Sequence, residues 1–245
     1  MGQIDPSHNP KIGRVPQGVR IYAIGDVHGC VDLLDQVLAR VSAHLLQNPI
    51  ERPIQVFLGD YVDRGPSSRL VIDRLIDWSQ GHETVFLKGN HELFFTTFLQ
   101  DPLILDAWRN LGGLETLSSY GLRPSVKISV NEQEKLASQI DAVMPESHKR
   151  FLAELKPFFV CGDYYFVHAG IRPGVALNLQ KEDDLLWIRS DFLNHKEQFA
   201  KVIVHGHTPV ASPEIHANRI NIDTGAYATG ILTCLVIEGD NLNYV

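Results

Sequence analysis

VRIYAIGDVHGCVDLLDQVLARVSAHLLQNPIERPIQVFLGD, residues 19–60, decides the fold. It opens on an apolar run that ends in Gly25 and Asp26 and closes on a second run that ends in Gly59 and Asp60. Between them apolar residues recur at spacings of three and four, so the stretch predicts a buried strand, an amphipathic helix and another buried strand. The pattern then repeats. SSRLVIDRLIDWSQG (67–81) reads as a helix with Ser67 as its N-cap and Gly81 as its C-cap, and TVFLKGN (84–90) reads as a third strand. A βαβαβ order is that of parallel crossovers, which places the loops after successive strands on one edge of one sheet.

Further along, HELFFTTFLQ, LILDAWRNLGGLETLSSYG and NEQEKLASQIDAVMPESHKRFLAEL are helical in pattern, and together they predict an inserted cap over about 93–156. Strands return in YYFVHAG (164–170) and KVIVHGH (201–207). FFVCGDYYFVHAG and GILTCLVIEGDNLNYV each carry a Gly-Asp turn between apolar runs and read as hairpins. The expected architecture is α/β of the α+β type: two packed sheets with helices outside, forming one domain over 19–245 behind a loose tail at 1–18.

No apolar run approaches the roughly 18–20 residues of a membrane span, and the N-terminal stretch lacks the apolar segment of a signal peptide, so a cytoplasmic location is expected. The formal charge of −7 comes from 22 basic and 29 acidic residues. No basic block stands against a phosphate backbone, which argues against nucleic acid as a partner. Cys30, Cys161 and Cys234 are odd in number and far apart, which suits reduced thiols. No heptad run is present, and a monomer is expected.

Chemistry-bearing residues gather just after the strands: Asp26 and His28, Asp60 with Asp63 and Arg64, Asn90 and His91, His168, and His205 with His207. Singly, a loop aspartate is usually a cap and a histidine a satisfied polar residue. Jointly they sit where ligands bind in open sheets. Aspartate, histidine and asparagine without thiolates suit manganese, iron or zinc in a mixed nitrogen and oxygen shell. Asp60 is the natural bridging carboxylate for a pair of ions.

GDVHG (25–29), GDYVDRG (59–65), GNHE (89–92), HAG (168–170) and GHTP (206–209) resemble, in order and spacing, the signature of metallophosphoesterases, and among these the phosphoprotein phosphatase family and its bacterial members. The segments WRNLGGLETLSSYG and NIDTGAYATGILT are similar to the bacterial branch as well. The resemblance implies a calcineurin-like two-sheet sandwich. It implies that Asp26, His28 and Asp60 hold one divalent metal ion and Asp60, Asn90, His168 and His207 a second, with manganese expected and iron or zinc as alternatives. In the family mechanism a hydroxide bridging the two ions attacks phosphorus directly. His91 would then protonate the leaving alkoxide, with Asp63 orienting it, while Arg64, Asn90 and Arg189 bind the phosphate. The bland reading of Arg189 is a surface ion pair with Asp183, Asp184 or Asp191. His205 is read as a support rather than a ligand.

Pro209 stands where nuclease and cyclic-nucleotide branches carry another histidine, which favours monoesters or pyrophosphate linkages over nucleic acid. The function expected is a metal-dependent serine/threonine protein phosphatase, with phosphotyrosine as a further substrate, acting on phosphorylated proteins or peptides and on small phosphoesters in vitro. The alternative is a symmetrical dinucleoside tetraphosphate hydrolase, a group that usually has alanine at the position of Asp63 and GNHD where this chain has Glu92. An inactive metal-binding interaction module is the alternative of another class, but such a protein should have lost Asp63, His91 or Arg64, and all three are present.

Overall fold

The structure, a computed structural model, describes residues 13–125 and 128–245. Strands β1 (Val19–Ile24), β2 (Arg52–Phe57) and β3 (Glu83–Phe86) pair in parallel, linked by crossover helices α1 (Val31–Gln47) and α2 (Ser68–Ser79). After β3 comes the helical insertion: α3 (Asn90–Gln100), α4 (Leu105–Trp108), α5 (Gly113–Ser119), α6 (Val130–Val143) and α7 (Glu146–Ala153). The hairpin β4 (Phe158–Cys161) and β5 (Tyr164–Val167) starts a second sheet. It continues past α8 (Glu182–Trp187) and α9 (Ser190–Leu193) into β6 (Val202–His205), β7 (Glu214–Ile215) and β8 (Arg219–Asn221). The short α10 (Ala226–Thr229) leads back to the first sheet as the hairpin β9 (Cys234–Glu238) and β10 (Asn241–Tyr244). The sheets run β10-β9-β1-β2-β3 and β4-β5-β6-β8-β7, and helices flank both, as expected.

Alternation along the strands sorts side chains into three layers. Ile21, Ala23, Ile54 and Val56 meet Phe166, Val204 and Ile220 between the sheets. Tyr22, Ile24 and Phe57 face the other way, onto α1, α2 and the cap. On the outer face of the second sheet, Tyr165, Val167 and Ile203 pack against Leu185, Ile188 and Phe192. Strands buried on both faces are apolar at most positions, Arg20 and Gln55 being buried polar exceptions, which is why they read as near-continuous runs in the sequence.

The helical insertion starts at Asn90, earlier than expected, with Glu92 in its first turn reaching back to accept from the Gly89 N–H at 3.0 Å. Ser67 stands at the N-cap of α2 without a side-chain capping bond, and the helix ends with Gln80 rather than Gly81 as its C-cap. Of the expected loose tail at 1–18, residues 1–12 lie outside the described residues. The described remainder packs: Val15 is buried and donates its N–H to the Gly239 carbonyl at 2.9 Å. Cys30, Cys161 and Cys234 are free thiols. No described helix is long and apolar enough to cross a membrane.

Candidate metal centre and active site

The carboxyl ends of the parallel strands in both sheets meet at one place. Asp26 follows β1, Asp60 follows β2, Asn90 opens α3 after β3, His168 follows β5 and His207 follows β6. Contacts across the seam tie them together: Asp26 Oδ2 accepts from the His207 N–H at 2.9 Å, and His168 Nδ1 lies 3.0 Å from the Leu58 carbonyl. Gly206 permits this approach, because a Cβ there would stand 2.0 Å from Asp26 Oδ1. Among the described residues, the non-glycine positions with positive φ are His28, Asp60, Asp63, Arg64 and His207, all of them candidate site residues. Left-handed backbone costs L-residues about 1 kcal/mol or more each and persists where the surroundings over-determine it, which is a property of functional sites.

Two donor groups form around Asp60. His28, Asp60 and His91 make one and Asp60, His168 and His207 the other, each with donor atoms within 4.8 Å of one another. His28 Nε2 and His168 Nε2 both stand 3.4 Å from Asp60, on opposite oxygens. Their Nδ1 atoms face the carbonyls of Val62 and Leu58, which only accept, so each Nδ1 carries the proton and each Nε2 offers a lone pair. Burial pushes the His28 imidazole down to about 3 and that of His207 to about 2, so both are neutral and fit to ligate at neutral pH. Asn90 Oδ1 lies 2.9 Å from both His168 Nε2 and His207 Nδ1, which brings it into the second group. Asp26 is buried beside this cluster rather than within the first group, and burial with Asp223 and Asp60 nearby drives its carboxyl well up. Its Oδ1 and His207 Nε2 are buried without a hydrogen-bond partner. Buried carboxylates in mutual repulsion, neutral imidazoles and orphaned donor atoms fit a pair of divalent cations.

His91 of the first group is also paired with Asp63. His91 Nδ1 is 2.7 Å from Asp63 Oδ2, and both side chains are buried. The cap holds Asp63 in place. Trp108 donates its indole N–H to Oδ2 at 2.7 Å, Thr116 donates its hydroxyl to Oδ1 at 2.6 Å, and Thr116 and Ser68 accept from the Asp63 N–H. Gly112, at φ +98°, accepts from the Arg64 N–H through its carbonyl, and a Cβ on it would stand 2.4 Å from that nitrogen. The Arg64 guanidinium reaches to 3.4 Å from His91 Nε2. Arg172 takes both Asp184 and Asp191, so those two carboxylates do not tie Arg189 down, and Arg189 lies near enough to His168 and His207 to oppose their protonation. His205 is buried against Phe192 with Nδ1 on the Gly206 carbonyl, behind the site.

A family profile described as calcineurin-like phosphoesterase matches residues 19–230, which contain every one of these residues. The chain belongs to the calcineurin-like phosphoesterase family. A relative from Anoxybacillus flavithermus, named bis(5'-nucleosyl)-tetraphosphatase PrpE (asymmetrical), is 29% identical over 234 residues, covering 86% of this chain and 88% of its own. One of the same name from Halalkalibacterium halodurans is 25% identical over 238 residues, covering 86% and 87%. Among solved structures, a protein assigned as a diadenosine tetraphosphatase superposes with a TM-score of 0.61 at 21% identity, covering 92% of both chains. A cold-active protein tyrosine phosphatase from a Shewanella species superposes with a TM-score of 0.55 at 17% identity, covering 96% of this chain and 81% of its own.

The motif reading missed the part that several residues of this phosphoesterase play. Glu92 is fully buried and accepts from the N–H groups of Gly89, Asp60, Tyr61 and Val62, which clamps the Asp60 loop to the start of α3. Asp223, after β8, joins the carboxylate cluster, and burial raises it to about 6. Its place at a strand end, within the NIDTGAYATGILT segment, was the signal that could have found it. Trp108 and Thr116 lie in a segment legible only as a resemblance, and no local pattern places them on Asp63.

Proposed function

We propose that this chain is a divalent-metal-dependent hydrolase of dinucleoside tetraphosphates that cleaves them asymmetrically, into a nucleoside mono- and triphosphate. The observation that carries the reading is the shared name of relatives matching nearly the full length of both chains. It moves the substrate from a phosphorylated protein to a nucleotide, and the split from symmetrical to asymmetrical. Asp26, His28 and Asp60 would hold one ion and Asp60, Asn90, His168 and His207 the other, with manganese proposed for both. Bound there, the ions supply positive charge to the phosphate oxygens and lower the pKa of water.

The protein's own groups do the rest. Arg64 on one side and Arg189 on the other offer planar forks to a polyphosphate. Imidazoles held neutral by burial keep their lone pairs on the centre. A nucleotide leaving group departs as a phosphate and needs little protonation, so charge neutralisation is the main requirement.

The bond between His91 and Asp63 favours a second reading, hydrolysis of phosphoserine, phosphothreonine or phosphotyrosine in proteins. An alkoxide leaving group needs a proton, and an imidazole braced by a buried carboxylate delivers one. Chelator-stripped protein with manganese added back separates the readings. Cleavage of diadenosine tetraphosphate to AMP and ATP well above phosphate release from a phosphothreonine peptide supports the first. Two ADP products would restore the symmetrical reading, and preferential peptide turnover would restore the protein phosphatase.

A further inference from the structure

Two exposed aromatic rings stand beside the centre, and the chemistry outlined above uses neither. Tyr227, in α10, is 43% exposed. Its ring meets that of His28 edge to face at 5.4 Å and carries the Arg64 guanidinium 4.5 Å from its centroid. Trp187, at the end of α8, is 37% exposed. Its ring meets His207 edge to face at 6.1 Å and Phe94 at 5.7 Å, and Arg189 follows two residues later. His28 and His207 belong to different donor groups that share only Asp60. Each end of the centre therefore has one ring set against one of its histidines and one arginine nearby.

Single exposed aromatics are ordinary on a protein surface. The pairing is what carries information: each ring is held by site residues and flanks one half of the same phosphate-binding centre. A substrate matching that arrangement has anionic charge in the middle and a flat π-face at each end. We propose that Tyr227 and Trp187 are stacking platforms for the two bases of a dinucleoside polyphosphate, one at each end of the centre. The proposal rests on the dinucleoside tetraphosphate reading. A phosphoserine or phosphothreonine peptide offers a ring to neither platform, and a phosphotyrosine offers one.

The test compares diadenosine tetraphosphate with inorganic tripolyphosphate, which has the anhydride but no base. In manganese-loaded enzyme, KM for diadenosine tetraphosphate is measured alongside Ki of tripolyphosphate as an inhibitor of the same reaction. Base stacking on an aromatic side chain is strong enough that Trp187→Leu and Tyr227→Leu should each raise the ratio of KM to Ki by about tenfold. Trp187→Phe and Tyr227→Phe, which keep a π-face, should hold it within about threefold. KM and Ki rising together in the leucine variants would show that the rings only shape the phosphate site, and would overturn the proposal. So would leucine variants whose losses fall on a phosphotyrosine peptide instead. Wild-type enzyme that does not cleave diadenosine tetraphosphate would overturn the substrate reading along with the platforms. Cleavage with an unchanged ratio would overturn the platforms alone.

Discussion

Asp63→Asn is a substitution whose outcome the geometry around His91 specifies closely. Asp63 Oδ2 accepts from two N–H groups, His91 Nδ1 and Trp108 Nε1, each at 2.7 Å, while Oδ1 meets the Thr116 hydroxyl at 2.6 Å. An asparagine fits this pocket in one orientation. Its oxygen replaces Oδ2, and its amide nitrogen points at Thr116 Oγ1, which can accept and pass its own proton to Ser68, 3.0 Å away. The second N–H of that amide meets no acceptor in this buried pocket, which costs about 1–3 kcal/mol, so Tm should fall by about 2–10 °C. What disappears is the charge behind the imidazole. A hydrogen bond to a charged group is worth about 1.5–3 kcal/mol and a neutral one about 0.5–1.5. The difference, about 1.5 kcal/mol, removes about tenfold from any step in which His91 gives up a proton to a poor leaving group. The assay measures kcat for phenyl phosphate, p-nitrophenyl phosphate and diadenosine tetraphosphate in manganese-loaded wild type and variant. The expected result is a tenfold loss with phenyl phosphate and less than about threefold with the other two, whose leaving groups hardly need a proton. Equal losses on all three would refute the acid role. An unchanged Tm would refute the hydrogen-bond accounting.

Removing metal should be visible without turnover. Buried carboxylates at Asp26, Asp60 and Asp223 repel one another in the apo protein. Manganese at about a hundred times its Kd should therefore raise Tm by about 5–10 °C, and Asp26→Asn should shrink that gain, both read by differential scanning fluorimetry. Arg189→Ala should lower kcat/KM for diadenosine tetraphosphate about a hundredfold while manganese still raises Tm, and a loss below about threefold would return Arg189 to the surface. Gly112→Ala forces a Cβ to within 2.4 Å of the Arg64 nitrogen at φ +98°, so it should lower both Tm and kcat. Unchanged kinetics would show that the cap does not position Arg64.

The apolar runs and the helix spacing of residues 19–86 carried the parallel half of the first sheet, because strands buried on both faces and amphipathic helices write their periods locally. The strand-end donors were legible for a related reason: glycine-rich loops at the carboxyl ends of parallel strands must share an edge, so Asp26, Asp60, Asn90, His168 and His207 could be grouped before any coordinates. What the sequence by itself determined, then, was an αβ scaffold, one loop edge and a donor set suited to divalent metals. Only the tertiary structure decided the rest. The Leu58 and Val62 carbonyls that set the imidazole tautomers, the N–H groups of Asp60, Tyr61 and Val62 on Glu92, the grip of Trp108 and Thr116 on Asp63, and the placing of Tyr227 and Trp187 against different histidines all join residues distant in the chain. Such contacts depend on how the cap and the second sheet pack onto the first, and packing between distant segments leaves no period in the sequence to read.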